Sequence, residues 1–440
     1  MIDNIFGTDG IRAQMGTNPF TSELLQKLGK AIAIWSIKKY KKNPSILLGH
    51  DTRISCSLVK SALKSGLLLY PVQLFDGQIL TSPAVSAIIT LQQDFDCGII
   101  ISASHNPYQD NGIKVIDKHQ GKLSLEDELI ISSLFHETID ENNYLNLGTD
   151  ILWPEAEQLY SIHIRQFFKT NFLHGRKIVL DCAHGAAYRL APELFEQFGA
   201  LTIVLHNKPN GSNINYNCGA LYPELLQKAV IDTQADAGFA FDGDADRLIM
   251  VNKYGQIKDG DDILALLLHH PRYKQTSHIV GTIMTNQGFE CFLNSHGKKL
   301  LRTAVGDKYI AASLVENNLI LGGEPSGHII ARDYLNTGDG IFIALRILET
   351  ITLTNNWAME TFNKFPQIIF NIPITYKRDL TTTMFAQLIC ASRNELISGR
   401  LIVRYSGTEH LLRIMIEDNN YDHAHSIGDR LAQQLSQALN

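Results

Sequence analysis

The sequence predicts an α/β fold for about the first 350 of its 440 residues, followed by a small α+β domain. Two observations support this prediction. Short apolar runs alternate with longer amphipathic stretches, a pattern typical of strand–helix–strand units in a mainly parallel sheet. After about residue 350 this alternation stops and a different pattern with prolines begins. At roughly 150 residues per domain, the length suits about three domains.

The elements follow in order along the chain. Residues 45–49 are a short apolar run that predicts a buried strand, and residues 57–69 have the period of a helix. Other apolar runs predict strands at 97–101, 177–180, 201–205, 239–241 and 248–251. In the last domain, residues 366–374 alternate between prolines, residues 385–394 indicate a helix, and two strands around a loop are expected at 401–404 and 411–416.

Composition and charge exclude several classes of protein. The formal net charge is −6, so a broad basic surface for nucleic acid is not expected. The apolar runs are far shorter than the ~20 residues of a membrane helix, and the first residues do not resemble a signal peptide. The six cysteines include no C-x-x-C pair, which favours a reducing cytoplasm over a disulfide framework.

The first segment with chemical character is residues 99–114, where an apolar strand runs into Ser-Ala-Ser-His-Asn-Pro. Ligands of open α/β sheets bind at such carboxyl ends of strands. Pro107 and Gly112 are expected to end regular structure, so that the polar side chains lie on a loop. Taken alone, the segment fits an ordinary turn slightly better, because Ser, Asn and Pro are turn residues.

The second segment places Asp242, Asp244 and Asp246 directly after an apolar strand, with Arg247 beside them. Three carboxylates this close repel one another unless a hard cation neutralises them, and oxygen ligands suit Mg²⁺ or Ca²⁺. The spacing excludes an EF-hand, since Arg247 stands where its loop needs glycine. A solvated acidic turn is the weaker alternative. The adjacent arginine indicates an anionic group near the cation.

Two further segments are weak signals by themselves. Residues 321–328 (LGGEPSGH) combine three glycines with carboxylate, hydroxyl and imidazole groups that suit sugar hydroxyls, although a glycine-rich turn is about as probable. Residues 403–413 (VRYSGTEHLLR) combine arginines, hydroxyls and a glycine that suit a phosphate, although alone a hairpin turn is the favoured interpretation. No Walker A sequence is present, so a nucleoside triphosphate is not the obvious ligand.

Together, these four segments resemble the α-D-phosphohexomutase family in content and order. The resemblance extends over nearly the whole chain and includes residues 6–12 (FGTDGIR), 51–53 (DTR), 181–186 (DCAHGA) and 305–309 (VGDKY). It implies four domains around a central cleft: three related α/β domains with mixed sheets and a smaller C-terminal α+β domain. The corresponding boundaries are 1–150, 151–252, 253–365 and 366–440.

The resemblance also implies roles for individual residues. Ser104 would carry a phosphoryl group, and the proton-transfer and active-site candidates are Lys114, His105 and Arg12. One Mg²⁺ per subunit would be held by the phosphoserine at Ser104 with Asp242, Asp244 and Asp246. The residues implied for the sugar are Arg247, Glu324, Ser326 and His328. Those implied for the non-reacting phosphate are Arg404, Ser406, Gly407, Thr408 and Arg413.

The reaction that the resemblance implies is the interconversion of glucosamine 6-phosphate and glucosamine 1-phosphate in the cytoplasm. It would pass through a bisphosphorylated hexose that also activates the enzyme, and its product would feed UDP-N-acetylglucosamine synthesis. The alternatives are a mutase for mannose or glucose phosphates, a catalytically silent sugar-phosphate-binding protein, and a metal-dependent phosphatase. The expected partner is a small sugar phosphate, with no nucleic acid and no membrane. A homodimer is left open.

Overall fold

The structure is a computed structural model that describes residues 4–7, 9–40, 42–119, 121–137, 147–405 and 410–439. The described chain forms two compact units. The first takes its residues from 1–283 and 301–360, and the second from 284–300 and 361–440. Within the described residues, no helix is both long enough and apolar enough to cross a bilayer. The four domain boundaries drawn from the sequence stay a prediction.

A seven-stranded mixed sheet begins the larger unit. Its strands are β1 (Ile11–Gln14), β2 (Ser45–His50), β3 (Gln73–Ile79), β4 (Cys97–Ile101), β5 (Asp110–Asp117), β6 (Gly121–Lys122) and β7 (Thr149–Leu152). They lie in the order β1-β5-β4-β2-β3-β7, and β6 pairs with β5. Neighbouring strands are parallel from β4 through β2 and β3 to β7. The strand β5 is antiparallel to both β1 and β4. The strand β4 is wholly buried, as its three consecutive isoleucines require.

Four helices accompany this sheet: α1 (Ser22–Tyr40), α2 (Cys56–Leu67), α3 (Ser82–Leu91) and α4 (Leu125–His136). The start of α3 follows from its sequence, because Thr81 Oγ1 accepts a hydrogen bond from Ala84 N at 3.2 Å and Pro83 lies in the first turn. Apolar side chains of α1, α2 and α4 form one core with those of β2 and β4.

The second sheet has five strands: β8 (Lys177–Asp181), β9 (Leu201–Leu205), β10 (Ala237–Phe241), β11 (Leu248–Asn252) and β12 (Ile257–Lys258). Their order is β12-β11-β10-β8-β9, with β10, β8 and β9 parallel. The helices of this region are α5 (Ala156–Arg165), α6 (Leu190–Gln197), α7 (Glu224–Thr233) and a short 3-10 helix (Gly219–Leu221). The carboxyl ends of the parallel strands therefore lie at one edge of the sheet.

The third sheet has four strands in the order β14-β13-β15-β16: β13 (His278–Thr282), β14 (Lys299–Thr303), β15 (Leu321–Gly323) and β16 (Ile329–Ala331). The helices of this part of the larger unit are α8 (Gly260–Leu267), α10 (Asp307–Glu316) and α11 (Gly340–Thr354). Asp259 caps α8 in a capping box with Asp262, which fixes where this helix begins.

The smaller unit contains an antiparallel three-stranded sheet in the order β17-β19-β18. Its strands are β17 (Gln367–Pro373), β18 (Arg400–Tyr405) and β19 (Leu411–Glu417), and its helices are α9 (Gln287–Ser295), α12 (Thr383–Glu395) and α13 (Tyr421–Leu439). Apolar residues of the sheet, α12 and α13 form its own core. The α+β character predicted for the last part of the chain is confirmed.

One prediction about local structure is wrong. Gly112 was expected to end regular structure, yet β5 runs through it from Asp110 to Asp117. A Cβ at Gly112 would lie 2.3 Å from the carbonyl oxygen of Ser102. The glycine therefore permits a close backbone approach inside a strand. As a result, β4 and β5 form a hairpin, and Ile100 pairs with Lys114.

Candidate active site

Ser104 lies in the turn that joins β4 to β5. Its hydroxyl donates a 2.6 Å hydrogen bond to Asp242 Oδ2, and its Oγ lies 3.2 Å from His105 Nδ1. The residue is buried and has a φ of 52°, in the left-handed region that non-glycine residues rarely adopt. Such strain persists only where surrounding contacts impose it. The turn therefore presents the Ser104 hydroxyl to the acidic loop after β10.

A buried polar network holds this turn in place. The carbonyl oxygen of Ser104 accepts hydrogen bonds from Arg53 Nη2 at 2.9 Å and from Asn215 Nδ2 at 2.8 Å. Its backbone N–H donates to Ser102 Oγ at 2.9 Å, and Ser102 Oγ donates to Asp51 Oδ2 at 2.6 Å. Asp51 also accepts from Arg53 Nε at 2.9 Å. These hydrogen bonds hold the backbone of the turn in one conformation before a ligand binds.

The acidic loop after β10 brings three buried carboxylates together. One oxygen of each of Asp242, Asp244 and Asp246 lies within 4.8 Å of the other two. Asp244 Oδ1 and Asp246 Oδ1 receive no hydrogen bond from any described residue, although both atoms are buried. Buried carboxylate oxygens without donors are costly unless a cation binds them. The residues present therefore fit a hard divalent cation.

The two loops approach each other backbone to backbone. A Cβ on Gly243 would lie 2.6 Å from the carbonyl oxygen of Ser104, so only glycine fits there. Ala245 has a φ of 60°, a second strained residue in the same few positions. Burial, with the nearby charges of Asp246 and Asp244, raises the pKa of Asp242 to about 8. The crowding of the three acids thus keeps a proton on the carboxyl beside the Ser104 hydroxyl below about pH 8 in the metal-free chain.

Lys114 is the cation nearest to these acids. Its Nζ lies 2.9 Å from Asp9 Oδ2, 3.0 Å from Asp244 Oδ2 and 2.9 Å from Asp246 Oδ2. Burial opposes the charged form, but the three carboxylates outweigh it and hold the pKa of Lys114 well above its usual value. Because carboxylates surround the amine, Lys114 is charged in the metal-free chain.

Three residues outside the predicted set extend this charge network. Asp9 accepts from Arg12 Nη2 at 2.6 Å and from Lys122 Nζ at 3.0 Å, and Lys122 also pairs with Asp307. Burial opposes ionisation of Asp9, but Lys114, Lys122 and Arg12 together hold its pKa well below the usual value. Asp9 therefore keeps Arg12 and Lys114 on one side of the acidic loop.

Two arginines and a histidine face the same region. Arg12 Nε and Arg247 Nε are buried, and neither has a hydrogen-bond partner among the residues described. Burial, followed by the charges of Arg247 and Arg12, lowers the pKa of His105 to about 3, so its imidazole is neutral. Guanidinium donors without partners favour an anion such as a phosphate. Arg12, His105 and Arg247 thus lie where the sequence placed them, beside Ser104 and the acids.

Glu324 and Ser326 form a second polar group after β15. Ser326 Oγ donates to Glu324 Oε2 at 3.0 Å, and the backbone N–H of Gly306 donates to Glu324 Oε1 at 2.9 Å. Glu324 is buried, whereas Ser326 is partly exposed. Burial lowers the pKa of Arg247, but nearby carboxylates outweigh burial and raise it. Glu324 is one of these carboxylates. Glu324 therefore acts electrostatically on the arginine beside the acidic loop.

His328 has a different environment from Ser326. The ring is buried, with Nδ1 3.6 Å from Asp246 Oδ1 and Nε2 accepting from Gly338 N at 3.1 Å. Burial lowers the pKa of His328, but the neighbouring carboxylate of Asp246 outweighs it, so the pKa is raised. This position suits a role for His328 in orienting Asp246. Direct contact of His328 with a sugar stays a prediction.

The predicted phosphate-binding residues lie in the smaller unit. Arg404 on β18 and Arg413 on β19 are directly opposite each other in the antiparallel pair. Both arginines are half-buried. The remaining residues of that set lie outside the described residues: Ser406, Gly407 and Thr408.

The fold and site together define an α/β protein with a buried serine hydroxyl, a candidate cation site of three carboxylates, and arginines suited to an anionic ligand. Comparison with known families is specific. Models described as phosphoglucomutase/phosphomannomutase domains match in order along the chain: domain I over 3–142, domain II over 158–255, domain III over 259–368 and the C-terminal domain over 385–434. The chain belongs to the phosphoglucomutase/phosphomannomutase family.

Relatives of known name agree with this assignment. The chain is 40% identical over 440 residues to phosphoglucosamine mutase of Acinetobacter baylyi, with 98% of each chain covered. It is 39% identical over 451 residues to phosphoglucosamine mutase of Syntrophotalea carbinolica, covering 100% of this chain and 98% of the relative. These similarities extend across all four family domains.

Solved structures share the fold. A phosphoglucomutase/phosphomannomutase family protein from Burkholderia thailandensis matches with a TM-score of 0.80 at 22% identity, covering 100% of this chain and 98% of the other. N-acetylphosphoglucosamine mutase of Aspergillus fumigatus, solved with GlcNAc-6P and magnesium, matches with a TM-score of 0.68 at 16% identity, covering 99% and 96%. The four-domain architecture with mixed sheets that the sequence implied is confirmed.

Proposed function

We propose that this enzyme interconverts glucosamine 6-phosphate and glucosamine 1-phosphate, with Ser104 carrying the transferred phosphoryl group. The 2.6 Å hydrogen bond from Ser104 Oγ to Asp242 carries the proposal, because it joins a hydroxyl nucleophile to a cation-binding cluster. The names of relatives about 40% identical over nearly the whole chain support the amino-sugar substrate. The product would supply UDP-N-acetylglucosamine synthesis.

The reaction consists of two phosphoryl transfers. A sugar hydroxyl attacks the phosphorus of phosphoserine 104, the bond between phosphorus and Ser104 Oγ breaks, and the bisphosphorylated sugar forms. The hydroxyl proton leaves the sugar oxygen, and Ser104 Oγ accepts a proton. After the sugar turns around, Ser104 Oγ attacks the other phosphate and the proton movements reverse. The same bisphosphate, added in solution, would phosphorylate Ser104 in the resting enzyme.

The acidic loop supplies the cation site for this chemistry. Asp242, Asp244 and Asp246 would hold Mg²⁺ together with a phosphoserine oxygen at Ser104. When bound, Mg²⁺ neutralises charge on the transferring phosphoryl group. The chain's own residues do the rest, because Arg12 and Arg247 offer partnerless N–H donors to the same group.

A side-by-side assay tests the proposal. The purified chain is incubated with Mg²⁺ and glucose 1,6-bisphosphate, and turnover is measured on glucosamine 6-phosphate, glucose 6-phosphate and mannose 6-phosphate. We expect the highest kcat/KM with glucosamine 6-phosphate. A preference for another hexose would correct the substrate within the family. Release of free phosphate as the main product would indicate a phosphatase, and no turnover with any sugar would indicate a binding protein.

Lys114 is the strongest candidate for proton transfer. Its ammonium lies among Asp9, Asp244 and Asp246, so it is charged before the ligands bind. We expect Lys114→Met to lower kcat by about 10²-fold to 10⁴-fold while changing KM much less. The measurement is steady-state kinetics at saturating Mg²⁺, so that a change in metal affinity does not affect the result.

The matched control for Lys114→Met is Lys118→Met, on the turn just after β5. Lys118 Nζ donates to the backbone oxygens of Gln92 and Gln93, at 3.2 and 2.8 Å. The control should retain kcat. If Lys114→Met raised only KM, the lysine would be a binding residue, and His105 would become the leading candidate for proton transfer.

The loop between β18 and β19 would hold the non-reacting phosphate. Such a site must accept the phosphate at either end of the sugar, and guanidinium groups suit this because they sense the anion more than the carbon that bears it. We expect Arg404→Ala to raise KM about tenfold for both monophosphates and to increase escape of the bisphosphate into solution.

Arg430→Ala serves as the control for Arg404→Ala. Arg430 lies on α13 of the same unit, is exposed and pairs with Glu395 at 2.5 Å. Its removal should leave both KM values unchanged. Loss of affinity for only one of the two monophosphates in Arg404→Ala would contradict a shared phosphate site.

A further inference from the structure

A second group of metal-ligating side chains lies at the carboxyl edge of the second sheet. His184 follows β8, His206 follows β9, and Cys218 immediately precedes the 3-10 helix. One ligand atom of each residue lies within 4.8 Å of the other two. The strands β8 and β9 are parallel neighbours, which is why the two histidines meet at one edge. The reaction proposed above uses none of these three side chains.

One buried carboxylate lies beside His206 and bonds the turns that carry the other two residues. Asp181, the last residue of β8, is 0% exposed. Its Oδ1 accepts from Ala183 N at 2.9 Å, and its Oδ2 accepts from Gly219 N at 3.0 Å. The same Oδ2 lies 3.0 Å from His206 Nδ1. A carboxylate facing Nδ1 directs the proton to that nitrogen and leaves Nε2 available, which is the usual arrangement behind metal-bound histidines.

The remaining two ligands are also held by the chain. His184 N–H donates to the carbonyl oxygen of His206 at 2.7 Å, which fixes the two turns together. Nδ1 of the His184 ring accepts a hydrogen bond from the backbone N–H of Lys208 at 3.2 Å. Lys208 is exposed, so water can bond this N–H if the ring rotates to bind a metal ion. Cys218 is buried at 1% exposure, whereas the side chain of His206 is 22% exposed. An ion can thus enter from the histidine side and reach a thiol in the interior.

We propose that His184, His206 and Cys218 bind a divalent transition-metal ion of the zinc class. Two imidazoles and a thiolate are ligands for Zn²⁺, whereas Mg²⁺ prefers oxygen, so the two sites of the chain select different ions. Binding replaces the thiol proton of Cys218, which passes to solvent, with the metal–sulfur bond. Three protein ligands leave a fourth position to water.

The ion would clamp turns that support the acidic loop. The carbonyl oxygen of His184 accepts from Thr52 Oγ1 at 2.5 Å, and Ala186 N–H donates to the carbonyl oxygen of Gly243 at 2.8 Å. The turn that carries His184 therefore packs against the loop of Asp242 and Asp244. We expect a structural ion that raises thermal stability, with no part in phosphoryl transfer.

Cobalt substitution tests the site through a signal specific to sulfur. The full chain, freed of metals and then saturated with Mg²⁺, is titrated with Co²⁺ and afterwards with Zn²⁺. We expect one Co²⁺ per chain with a thiolate-to-cobalt charge-transfer band, and displacement of that band by Zn²⁺. Cys218→Ser and His206→Gln should lose the band, and Asp181→Asn should weaken affinity about 10-fold to 100-fold. Cys291→Ser, which changes an exposed cysteine, should keep the band.

Thermal unfolding with and without Zn²⁺ distinguishes a variant that has lost metal binding from one that has lost its fold. Zn²⁺ should raise the Tm of the wild type and of Cys291→Ser, because an ion bound only by the folded chain stabilises it. It should leave the Tm of His206→Gln unchanged, and circular dichroism without zinc should show that this variant is folded. A wild type without a sulfur band, or a band that persists in both Cys218→Ser and His206→Gln, would overturn the proposal. Neither outcome bears on the mutase reaction.

Discussion

Ser104→Ala is expected to lower mutase turnover by about 10⁴-fold to 10⁶-fold, the range seen when a nucleophile is removed. A methyl group can neither accept nor return a phosphoryl group. The substitution also removes the hydroxyl that donates to Asp242 Oδ2 at 2.6 Å. The measurement is a coupled assay on glucosamine 6-phosphate, together with intact-mass spectrometry after incubation with the bisphosphate. Wild type should gain one phosphoryl group, and Ser104→Ala should gain none.

Ser102→Ala is the informative control, because Ser102 is the other hydroxyl of the same turn. Its Oγ accepts from Ser104 N and donates to Asp51, so it has a positioning role in the structure. Removing a buried hydrogen-bonding group costs stability of about 1–3 kcal/mol. Phosphorylation should persist in Ser102→Ala at a reduced rate. If phosphorylation were instead lost there and retained in Ser104→Ala, the nucleophile would be Ser102.

The loops that carry chemistry could be predicted because their signals are local. The strands predicted at 97–101 and 201–205 match β4 and β9 residue for residue. Short apolar runs bounded by polar loops are typical of buried strands. Ser104 and the three aspartates follow such runs directly. Their positions could therefore be read from the sequence, and the structure brings Ser104 to within 2.6 Å of Asp242, 138 residues away.

The supporting residues could not be predicted in the same way. Lys122 and Asp307 are 185 positions apart, and nothing near either residue indicates the pair. Asn215 donates a hydrogen bond to the carbonyl oxygen of Ser104, but the sequence around Asn215 indicates only a turn. Asp9 and Asp307 each lie in a motif of the family resemblance, at residues 6–12 and 305–309, but neither motif indicates which residues they contact. A contact of this kind depends on tertiary packing, which local periodicity does not encode.

The same limit applies to the surroundings of Lys114. The sequence shows only a lysine on the chain after the serine loop. The position of the amine among Asp9, Asp244 and Asp246 follows from the β4–β5 hairpin, whose register sets Lys114 opposite Ile100. Only the pairing of the two strands reveals that three carboxylates meet this lysine.

Chelation of divalent metal is expected to abolish turnover, and added Mg²⁺ should restore it. Asp242, Asp244 and Asp246 are buried at 1%, 0% and 4% exposure, so their mutual repulsion is little screened by solvent. A phosphate on Ser104 adds further negative charge at the same point. Turnover in EDTA, followed by readdition of Mg²⁺, measures this dependence. Full activity in excess chelator would rule out the cation site.

Asp244→Asn separates the metal from a general effect of the acids. We expect this nearly isosteric variant to need about tenfold to 100-fold more Mg²⁺ for half-maximal activity, because one of three charged ligands is lost. Asp150→Asn is the control, an acid on β7 that contacts Lys64 at 2.9 Å. Its Mg²⁺ dependence should match that of the wild type. Equal Mg²⁺ dependence in Asp244→Asn and wild type would place the ion elsewhere.

The dependence of Mg²⁺ affinity on pH gives a second, independent measure of this site. Burial and the charges of Asp246 and Asp244 raise the pKa of Asp242 to about 8, so below that pH the metal-free chain holds a proton that Mg²⁺ must displace. Affinity for Mg²⁺ should therefore rise with pH from 6 to about 8 and then level off, with up to one proton released per ion. Calorimetric titration in buffers of different ionisation enthalpy counts that proton. In Asp242→Asn the proton release should disappear, and an unchanged pH dependence in this variant would assign the coupled proton to another group.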